Sequence, residues 1–338
     1  MNDSHTRAPR NRTLHLSSAD VSRLLPRLRR MSNPVNLHEC LDTTILGDAM
    51  QVLPCLPASS VDLLILDPPY NLTKSFNGTI FNRLPAADYE AWMRDWMRLC
   101  LRLLRPRATV YLCCEWQTSG IVQSVLEEHL TVRNRITWER EKGRGAQHNW
   151  KNCSEDIWFC TVSQDYWFDV EAVKIKRRVL APYRAANGDP KDWRQEPDGE
   201  YRITHPSNLW TDISVPFWSM PENTEHPTQK PEKLIAKLML ASSKQGDLVL
   251  DPFAGSGTTA VVAKKLGRHY IGIEKEEHYC LLAERRLELA ENDRSIQGYV
   301  DGCFWERNTL SQQARERENA LLNSFQGQAS LFGANNEK

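Results

Sequence analysis

The chain has 338 residues, of which 41% are hydrophobic, 25% charged and 9% aromatic, a composition that is ordinary for a globular protein, so most of the chain should fold and a small disulfide scaffold is excluded. No run approaches about 18 uncharged apolar residues, and the first residues lack the apolar stretch of a secretory signal, so a membrane-spanning or secreted protein is not expected. Lys plus Arg equal Asp plus Glu at 43 each, so the total charge neither requires nor excludes a nucleic-acid partner.

Residues 1–35 are rich in arginine and poor in apolar side chains. Seven arginines stand against two acids, Asp3 and Asp20. This pattern predicts a flexible basic arm. An alternative is that translation starts at Met31.

Residues 36–164 have the pattern of the first half of an α/β domain. A β-branched strand begins at Thr43, a short helical stretch follows, and an apolar strand over 61–66 ends at Asp67. The segment 87–104 carries Trp and Leu at helical spacing, and Pro106 is expected to end that helix. Further strands are predicted at 109–113, 132–138 and 157–162.

Residues 165–222 break this regularity. The stretch 166–220 is rich in Pro, Gly, Arg and aromatic residues without a clean period, which is typical of a variable insertion that carries recognition. The α/β pattern returns over 223–306, with helices and strands predicted at 231–242, 248–250, 258–266, 270–273 and 277–289. The polar composition of 307–338 predicts a flexible tail.

A glycine-rich turn follows the strand at 248–250. Gly255 and Gly257 lie where this strand passes into a helix, and glycine there permits unusual dihedral angles and a close approach of the backbone to a ligand. Glu274 ends the next strand, where an acid accepts hydrogen bonds from ribose hydroxyls. These residues predict a nucleoside cofactor. A looser dinucleotide fingerprint with Ala260 in third place leaves NAD open, and a turn that only packs a helix on a strand is the plainer alternative.

A polar patch, HPTQKP, precedes the helix at 231–242. Pro227 and Pro231 bracket this patch, and the helix is amphipathic. Thr228 or Gln229 is placed to cap the helix and to face the cofactor. Taken alone, the patch is better explained as a helix cap.

The sequence Asp67-Pro68-Pro69-Tyr70 follows a buried strand, at the edge of an α/β sheet where ligands bind. Two successive prolines remove two amide donors and leave carbonyl acceptors. Asp67 adds a carboxylate and Tyr70 an aromatic face, so the group fits a planar ring with an exocyclic NH2, as in adenine or cytosine. A simple turn is the alternative, and it leaves the coincidence with the glycine-rich turn unexplained.

The motifs DPPYN, HPTQKP and DPFAGSGTT, in that order, resemble those of the β-class DNA amino-methyltransferases, in which a target-recognition region lies between the catalytic and cofactor motifs. The resemblance spans 40–289. It implies an α/β, Rossmann-like methyltransferase sheet of seven strands with its last strand antiparallel, S-adenosylmethionine as the cofactor, and catalysis by 67–70. The cofactor-binding residues it implies are Asp48, His226, Thr228, Gln229, Lys230, Asp251, Pro252, Phe253, Ala254, Gly255, Ser256, Gly257, Thr258 and Glu274.

The resemblance implies methylation of adenine N6 in double-stranded DNA. Since a duplex hides this atom, the base must be flipped out, at about a few kcal/mol, and held by Asp67, the Pro68 carbonyl and Tyr70. Cytosine N4 stays open because both rings carry an NH2 group. A cytosine-C5 enzyme needs a nucleophilic cysteine, and Pro54-Cys55 lacks the expected context. A non-catalytic DNA-binding regulator is disfavoured because both motifs are intact, and an NAD-dependent oxidoreductase leaves DPPY unexplained.

Two basic clusters are predicted to contact DNA. One is the loop around GRGAQHNW, whose glycines suit closure over a strand, and its basic residues are Arg140, Lys142, Arg144 and Lys151. The other lies in the irregular region and includes Arg177 and Arg194. Trp138 or Trp150 is placed to form a second wall beside the flipped base.

The nine cysteines are an odd number and contain no CxxC pair, which favours reduced thiols over disulfides or a zinc site. We therefore expect a cytoplasmic protein without a metal. The resemblance further implies a restriction-modification system in which a cognate endonuclease acts on the same site. A monomer or a homodimer is expected.

Overall fold

The computed structural model of the chain describes residues 10–76, 79–140, 147–179, 183–196 and 199–307. Apart from Arg307, the predicted tail lies outside these residues. Within the described ranges, no helix is long and apolar enough to cross a membrane.

The described residues form eight α-helices and fifteen strands. The helices are α1 (Ser18–Leu24), α2 (Leu37–Cys40), α3 (Ala49–Val52), α4 (Ala86–Leu101), α5 (Ser119–Glu127), α6 (Glu232–Ser242), α7 (Thr258–Leu266) and α8 (Glu277–Asn292). The strands are β1 (Thr43–Leu46), β2 (Val61–Leu66), β3 (Lys74–Phe76), β4 (Thr79–Phe81), β5 (Leu104–Cys114), β6 (Thr131–Glu139), β7 (Ser154–Thr161), β8 (Ile175–Arg178), β9 (Arg194–Glu196), β10 (Gly199–Thr204), β11 (Leu209–Trp210), β12 (Leu248–Asp251), β13 (His269–Glu274), β14 (Tyr299–Val300) and β15 (Cys303–Trp305). Short 3₁₀ helices lie at Leu25–Arg27, Leu53–Cys55 and Glu171–Val173.

Eight strands form the main sheet, in the order β1-β13-β12-β2-β5-β7-β6-β11. The pairs along it are parallel, except that β7 runs antiparallel to β5 and to β6. The first seven strands of this order match the predicted methyltransferase sheet, and the two-residue β11 adds an eighth at the edge. The predicted fold class is confirmed.

Helices cover both faces of the sheet, and β2 shows why its sequence folds this way. Leu64 and Leu66 pack into one core with side chains of α4 and α5, whereas Leu63 and Ile65 pack into a second core with α6 and α7. Because successive side chains of a strand point to opposite faces, one short apolar run serves both cores. Strand β2 pairs with β12 and β5 in this sheet and ends at Leu66, so Asp67 leaves the sheet at its carboxyl edge.

The N-terminal arm is more ordered than its composition predicts. Residues 18–24 form α1, with a capping box at its N-terminus, and Leu24 is fully buried. Arg23 and Arg27 both pair with Glu288 on α8, Arg27 at 3.0 Å. The prediction of a flexible arm is therefore wrong for this segment, because the acid that compensates its arginines comes from the far end of the chain.

The region predicted to be irregular also contains a second sheet. Strands β8, β9 and β10 pair as antiparallel neighbours, and the hairpin β14–β15 joins them in the order β14-β15-β8-β10-β9. The absence of a pattern over 166–220 misled the prediction, because strands of two to six residues are too short to show a period. We call this the recognition sheet, after the recognition role that the sequence predicts for 166–220. Residues 299–305 belong to it although the sequence assigned them to the cofactor half.

Candidate active site

Four parallel strands bring the predicted site residues to one edge of the main sheet. Strands β1, β13, β12 and β2 are neighbours, and their carboxyl ends lead to Asp48, Glu274, the turn after Asp251, and Asp67. In open parallel sheets this edge is where ligands bind. The four segments line one cavity of about 260 Å³, which we call the catalytic cavity.

Asp67 accepts hydrogen bonds from two side chains. Lys230 Nζ lies 2.7 Å from Asp67 Oδ1 and 2.8 Å from Oδ2, and the Tyr70 hydroxyl donates to Oδ1 at 3.0 Å. Burial, together with the Asp67 carboxylate, raises the pKa of Tyr70 well above its usual value, so this hydroxyl stays protonated as a donor. The predicted catalytic acid and tyrosine thus form one hydrogen-bonded group with Lys230.

Lys230 contacts the acid, although the resemblance implied a cofactor role for it. Glu155, from β7, lies on the other side of its ammonium, 3.3 Å from Nζ, and both side chains are buried. Burial alone would lower the pKa of Lys230, but Asp67 and Glu155 raise it above its ordinary value, so the side chain stays charged. Sequence reasoning missed Glu155, since the only signal is a charged residue near the start of a buried strand.

The backbone of the DPPY segment is anchored on both sides. The Asn71 amide donates to the Leu84 carbonyl at 2.9 Å and accepts from the Leu84 N–H at 2.7 Å. The Tyr89 hydroxyl donates to the Pro69 carbonyl at 3.4 Å. Each proline also fixes its own φ. The carbonyl acceptors of this segment are therefore held by a rigid backbone.

The glycine-rich turn needs glycine at two positions for different reasons. Gly255 has a φ of +51° and Gly257 a φ of +75°. A Cβ on Gly255 would lie 2.9 Å from His226 Nε2, whereas a Cβ on Gly257 would lie 2.4 Å from the Ala283 Cβ in α8. The first glycine therefore leaves space at the cavity wall, and the second lets α7 pack on α8.

Asp251 holds this turn from inside the protein. Its carboxylate accepts from the Phe253 N–H at 3.0 Å and from the Thr259 hydroxyl at 2.5 Å. Burial raises the pKa of Asp251 to about 7, although both donors oppose the shift. The Thr258 hydroxyl donates to the Lys230 carbonyl at 3.1 Å and ties α7 to the segment before α6. Both predicted cofactor residues, Asp251 and Thr258, thus support the turn through contacts within the protein.

Glu274 brings a carboxylate to the cavity at the end of β13. Its Oε2 accepts from the Gly255 N–H and its Oε1 from the Glu276 N–H, each at 2.9 Å, and burial raises the pKa of the group. The Lys275 N–H also hydrogen-bonds to this carboxylate, and since a carboxylate has about four lone-pair sites, it keeps acceptor capacity for a ligand hydroxyl. Asp48 differs, since it is exposed and caps α3 by accepting from the Met50 N–H at 2.8 Å.

His226 is a neutral aromatic part of the cavity wall. Its ring lies edge-on to Tyr279, with 4.4 Å between the ring centroids. Burial lowers the pKa of His226 to about 4, and the Lys230 ammonium adds to the shift. The imidazole is therefore uncharged near pH 7.

The rest of the HPTQKP patch does not cap α6. The first amide of that helix, Glu232 N–H, donates to the Glu222 carboxylate at 2.6 Å. Gln229 instead accepts from the Thr224 N–H at 3.0 Å and donates to the Glu222 carbonyl at 2.7 Å. The prediction that Thr228 or Gln229 caps the helix is wrong, because an acid ten residues earlier takes that place.

An aromatic wall of the cavity comes from residues that the sequence assigned only to a helix face. Trp92 and Trp96 of α4 line the cavity. The Trp96 ring meets the Phe253 ring edge-on at 5.2 Å, and Trp92 lies 6.4 Å from the same ring. Their helical spacing gave no sign of this second role, since it is the spacing of any core-facing pair.

Most of the predicted catalytic and cofactor-binding residues line the catalytic cavity. Its lining includes all four predicted catalytic residues and every predicted cofactor residue except Gly257. In the part of the chain that the structure describes, no group of three or more His, Cys, Asp or Glu side chains is arranged to hold a metal ion.

The loop predicted to contact DNA begins with an internal ion pair. Arg140 pairs with the buried Glu155, and its guanidinium lies 5.7 Å from the Trp138 ring centroid. Trp138 is 1% exposed and its indole N–H donates to the Ile213 carbonyl at 3.0 Å, so the prediction that it stacks on a base is wrong. Trp150, at 94% exposure, is accessible. A DNA contact by Arg140 stays a prediction.

The other predicted basic residues belong either to this loop and its flank or to the recognition sheet. Lys151 is exposed after this loop, while Lys142 and Arg144 lie outside the described residues. Arg177 and Arg194 belong to β8 and β9 of the recognition sheet. A second cavity of about 500 Å³ lies on that sheet, and its lining includes Lys176, Lys191, Trp193, Arg194, Tyr201 and Arg202.

Two known methyltransferases are similar to this chain in sequence. The chain is 33% identical over 276 residues to the DNA adenine methyltransferase YhdJ of Escherichia coli (strain K12), covering 78% of this chain and 89% of that protein. It is 33% identical over 247 residues to the type II methyltransferase M.HpaI of Haemophilus parainfluenzae, covering 72% and 73%.

Two solved structures share the fold at lower identity. The M1.HpyAVI–SAM complex gives a TM-score of 0.50 at 23% identity and covers 72% of this chain and 98% of that chain. The PvuII DNA methyltransferase (cytosine-N4-specific) gives 0.53 at 15% identity and covers 79% and 94%.

A family model described as DNA methylase, of the N6/N4 type, matches residues 61–285. This range begins with β2, which carries DPPY, and ends within α8, behind the glycine-rich turn. It therefore spans the edge on which the catalytic cavity is built, except for β1 and Asp48. The resemblance seen in the sequence is confirmed, and the chain belongs to the N6/N4 DNA methylase family.

Proposed function

We propose that this DNA methylase transfers a methyl group from S-adenosylmethionine to N6 of adenine in double-stranded DNA. The observation that carries the proposal is that Asp67 and Tyr70 line the same cavity as Glu274 and the glycine-rich turn. Acceptors for an exocyclic amine and acceptors for a nucleoside cofactor therefore share one space. A direct transfer between two bound molecules requires this arrangement.

The cavity residues fit S-adenosylmethionine. Glu274 offers acceptor positions for the ribose hydroxyls. Phe253 and Trp92 offer aromatic surfaces, which attract a cation such as the sulfonium. When bound, this cofactor supplies an electrophilic methyl group, and the protein residues orient the amine toward it.

The DPPY segment fits the amine of a flipped base. Asp67 and the Pro68 carbonyl are acceptors for the two amine hydrogens. Accepting both hydrogens draws the nitrogen toward tetrahedral geometry and directs its lone pair toward the methyl group. The Tyr70 ring, fixed through its hydroxyl bond to Asp67, serves as a stacking surface. Positioning of this kind needs no covalent nucleophile.

Adenine is the favoured target, with cytosine N4 as the second candidate. The first residue of DPPY is aspartate. Among the β-class DNA amino-methyltransferases that this sequence resembles, aspartate at this position is commoner in enzymes that methylate adenine. The relative named an adenine methyltransferase aligns over most of this chain. The cytosine-N4 enzyme among the solved structures supports a shared fold, and the same acceptors serve either amine.

The biological setting we propose is a restriction-modification system with a cognate endonuclease acting on the same site. The type II methyltransferase among the relatives supports this setting. The recognition sheet, with its basic and aromatic cavity, is the candidate reader of the DNA sequence. The free cysteines suit the reducing cytoplasm, which we propose as the location.

The test is methyl transfer followed by nucleoside analysis. Purified protein is incubated with tritiated S-adenosylmethionine and duplex DNA from a host without DNA methylation, and the digested nucleosides are separated by mass. We expect N6-methyladenine. N4-methylcytosine would select the second candidate, and the absence of both, with cofactor bound, would contradict the proposal. Sequencing of the modified DNA then gives the recognition site.

A further inference from the structure

We propose that Lys230 is a positioning residue of the methyl transfer, which aims the Asp67 carboxylate so that Oδ2 accepts a hydrogen of the target amine. Glu155 in turn holds Lys230. The inference rests on the proposed role of Asp67 as the acceptor for that amine.

The hydrogen bonds of Asp67 distinguish its two oxygens. Oδ1 accepts from Lys230 at 2.7 Å and from the Tyr70 hydroxyl at 3.0 Å. Oδ2 accepts from Lys230 at 2.8 Å, and within the described part of the chain we find no second donor to it. Since each carboxylate oxygen has two lone-pair directions, Oδ1 is filled and Oδ2 keeps one direction for a substrate N–H. The Tyr70 hydroxyl thereby distinguishes the two oxygens, and the ammonium, bonded to both of them, fixes the direction in which Oδ2 faces the amine.

Glu155 is placed to hold this ammonium. Its side chain is 2% exposed, and its Oε2 has no hydrogen-bond partner among the described residues, although it lies 3.3 Å from Lys230 Nζ. Its Oε1 pairs with Arg140. The charges therefore alternate along Arg140, Glu155, Lys230 and Asp67. Because a buried charge is costly unless it is paired, this alternation holds Lys230 between two acids in one position.

A matched control lies on α6, the helix that begins two residues after Lys230. Lys237 is 1% exposed and pairs with the buried Asp212 at 3.0 Å, but it is not part of the catalytic cavity lining. Replacing either lysine by methionine removes a buried ammonium and keeps a side chain of similar length. A general effect of losing a buried charge would appear in both variants, whereas a positioning effect would appear only at Lys230.

The experiment compares Lys230→Met and Lys237→Met in single-turnover methyl transfer on preformed enzyme–DNA complexes, with cofactor affinity measured by calorimetry. We expect Lys230→Met to lower the rate by about 100-fold, the effect of a misplaced reacting group, with cofactor and DNA affinities within about threefold. Lys237→Met should change the rate per folded molecule by no more than about twofold. An unchanged rate in Lys230→Met, or a loss explained by weaker cofactor binding, would overturn the proposal.

A second variant covers the case in which Lys230→Met does not fold. That change leaves Asp67 and Glu155 without the cation between them, so Lys230→Met is combined with Glu155→Gln to remove one negative charge. We expect the double variant to fold and to stay as slow as proposed for Lys230→Met. A folded double variant with the wild-type rate would overturn the inference.

Chemical rescue separates positioning from packing. The rate of Lys230→Ala should rise with added ethylammonium, which restores a donor beside Asp67, and should not rise with tetramethylammonium, which cannot donate. An equal response to both ions, or to neither, would contradict a donor role. If Asp67→Ala itself stays active, the proposed function of Asp67 fails; if only Lys230→Met stays active, this inference fails and the proposed function stands.

Discussion

The two cavities of this protein differ in how far their charged side chains are exposed, although Lys176 on the recognition sheet is also largely buried, paired with Glu196 at 2.6 Å. In the catalytic cavity, Lys230 is buried between two carboxylates, Asp67 and Glu155. On the recognition sheet, Arg194 is exposed, and the ion pair Arg202–Asp192, at 3.3 Å, has both side chains about half exposed. Buried charges are strongly coupled to their partners, whereas exposed pairs contribute little.

This difference indicates where amino-acid substitutions are tolerated. A coupled, buried group has one arrangement, and altering one member disturbs the others. A solvated surface can exchange one residue without consequences for the fold. We therefore expect substitutions in the catalytic cavity to change the rate or cofactor binding, and substitutions on the recognition sheet to change which DNA is bound.

The largest expected effect is at Asp67. Asp67→Ala removes the acceptor assigned to the amine and should lower methyl transfer by about 1000-fold, within the range of a lost catalytic group. Cofactor affinity, measured by calorimetry, should stay within about threefold because Asp67 is not assigned to the cofactor. Loss of cofactor binding with a normal rate for the bound fraction would show that the two halves of the cavity are assigned wrongly.

The next effect is expected at the glycine-rich turn. In Gly255→Ala the new Cβ meets the His226 ring at the cavity wall, so we expect cofactor affinity to fall by about 100-fold. Gly246→Ala is the control, since Gly246 also has a positive φ, of +82°, but opens onto empty space. Both variants carry a left-handed backbone cost of about 1–2 kcal/mol. Equal cofactor affinity in the two variants would remove Gly255 from the site.

The burial of His226 predicts a dependence of stability on pH. Its pKa is about 4 in the folded protein, against 6.5 ordinarily, so the folded state binds fewer protons between these values. The contribution of this ring to the free energy of unfolding is therefore present above pH 6.5 and falls as the pH falls toward 4, by roughly 2 kcal/mol. In urea unfolding, the difference in the free energy of unfolding between pH 7 and pH 4.5 should be smaller for His226→Gln than for the wild-type protein. The same pH effect in both proteins would contradict the assignment.

The smallest effects are expected for the residues proposed to contact DNA. The two variants below should differ in whether they change sequence preference or weaken binding to every sequence. Arg194→Gln on the recognition sheet should cost about 1–3 kcal/mol on the cognate sequence and relax preference at one position. Lys151 follows the loop predicted to contact DNA and is expected to meet a phosphate, so Lys151→Gln should weaken all sequences alike and reduce the salt dependence by about one unit of slope. Titrations at several salt concentrations, on cognate and single-mismatch duplexes, compare the two. The reverse pattern would exchange the roles of the two regions.

The sequence by itself determined the elements that are buried on both sides and the residues at their ends. Strand β2 spans 61–66 and α7 spans 258–266, as predicted, because continuous apolar runs and glycine boundaries are local signals. Asp67 follows β2 directly, and Glu274 ends β13, another buried strand. The prediction failed where a signal was ambiguous: Pro106 lies in the exposed, irregular start of β5, since the helix has already ended at Leu101.

Only the tertiary structure decided which groups meet. Lys230 pairs with Asp67 and Glu155 because β7 lies next to β5, and β5 next to β2, an order that no local pattern encodes. The recognition sheet joins strands from two distant parts of the chain. Arg23 of α1 and Arg27 of the following 3₁₀ helix both pair with the distant Glu288 in the same way. In each case a charge or a short strand is stable only beside a partner far along the chain, so its role depends on how the chain folds back on itself.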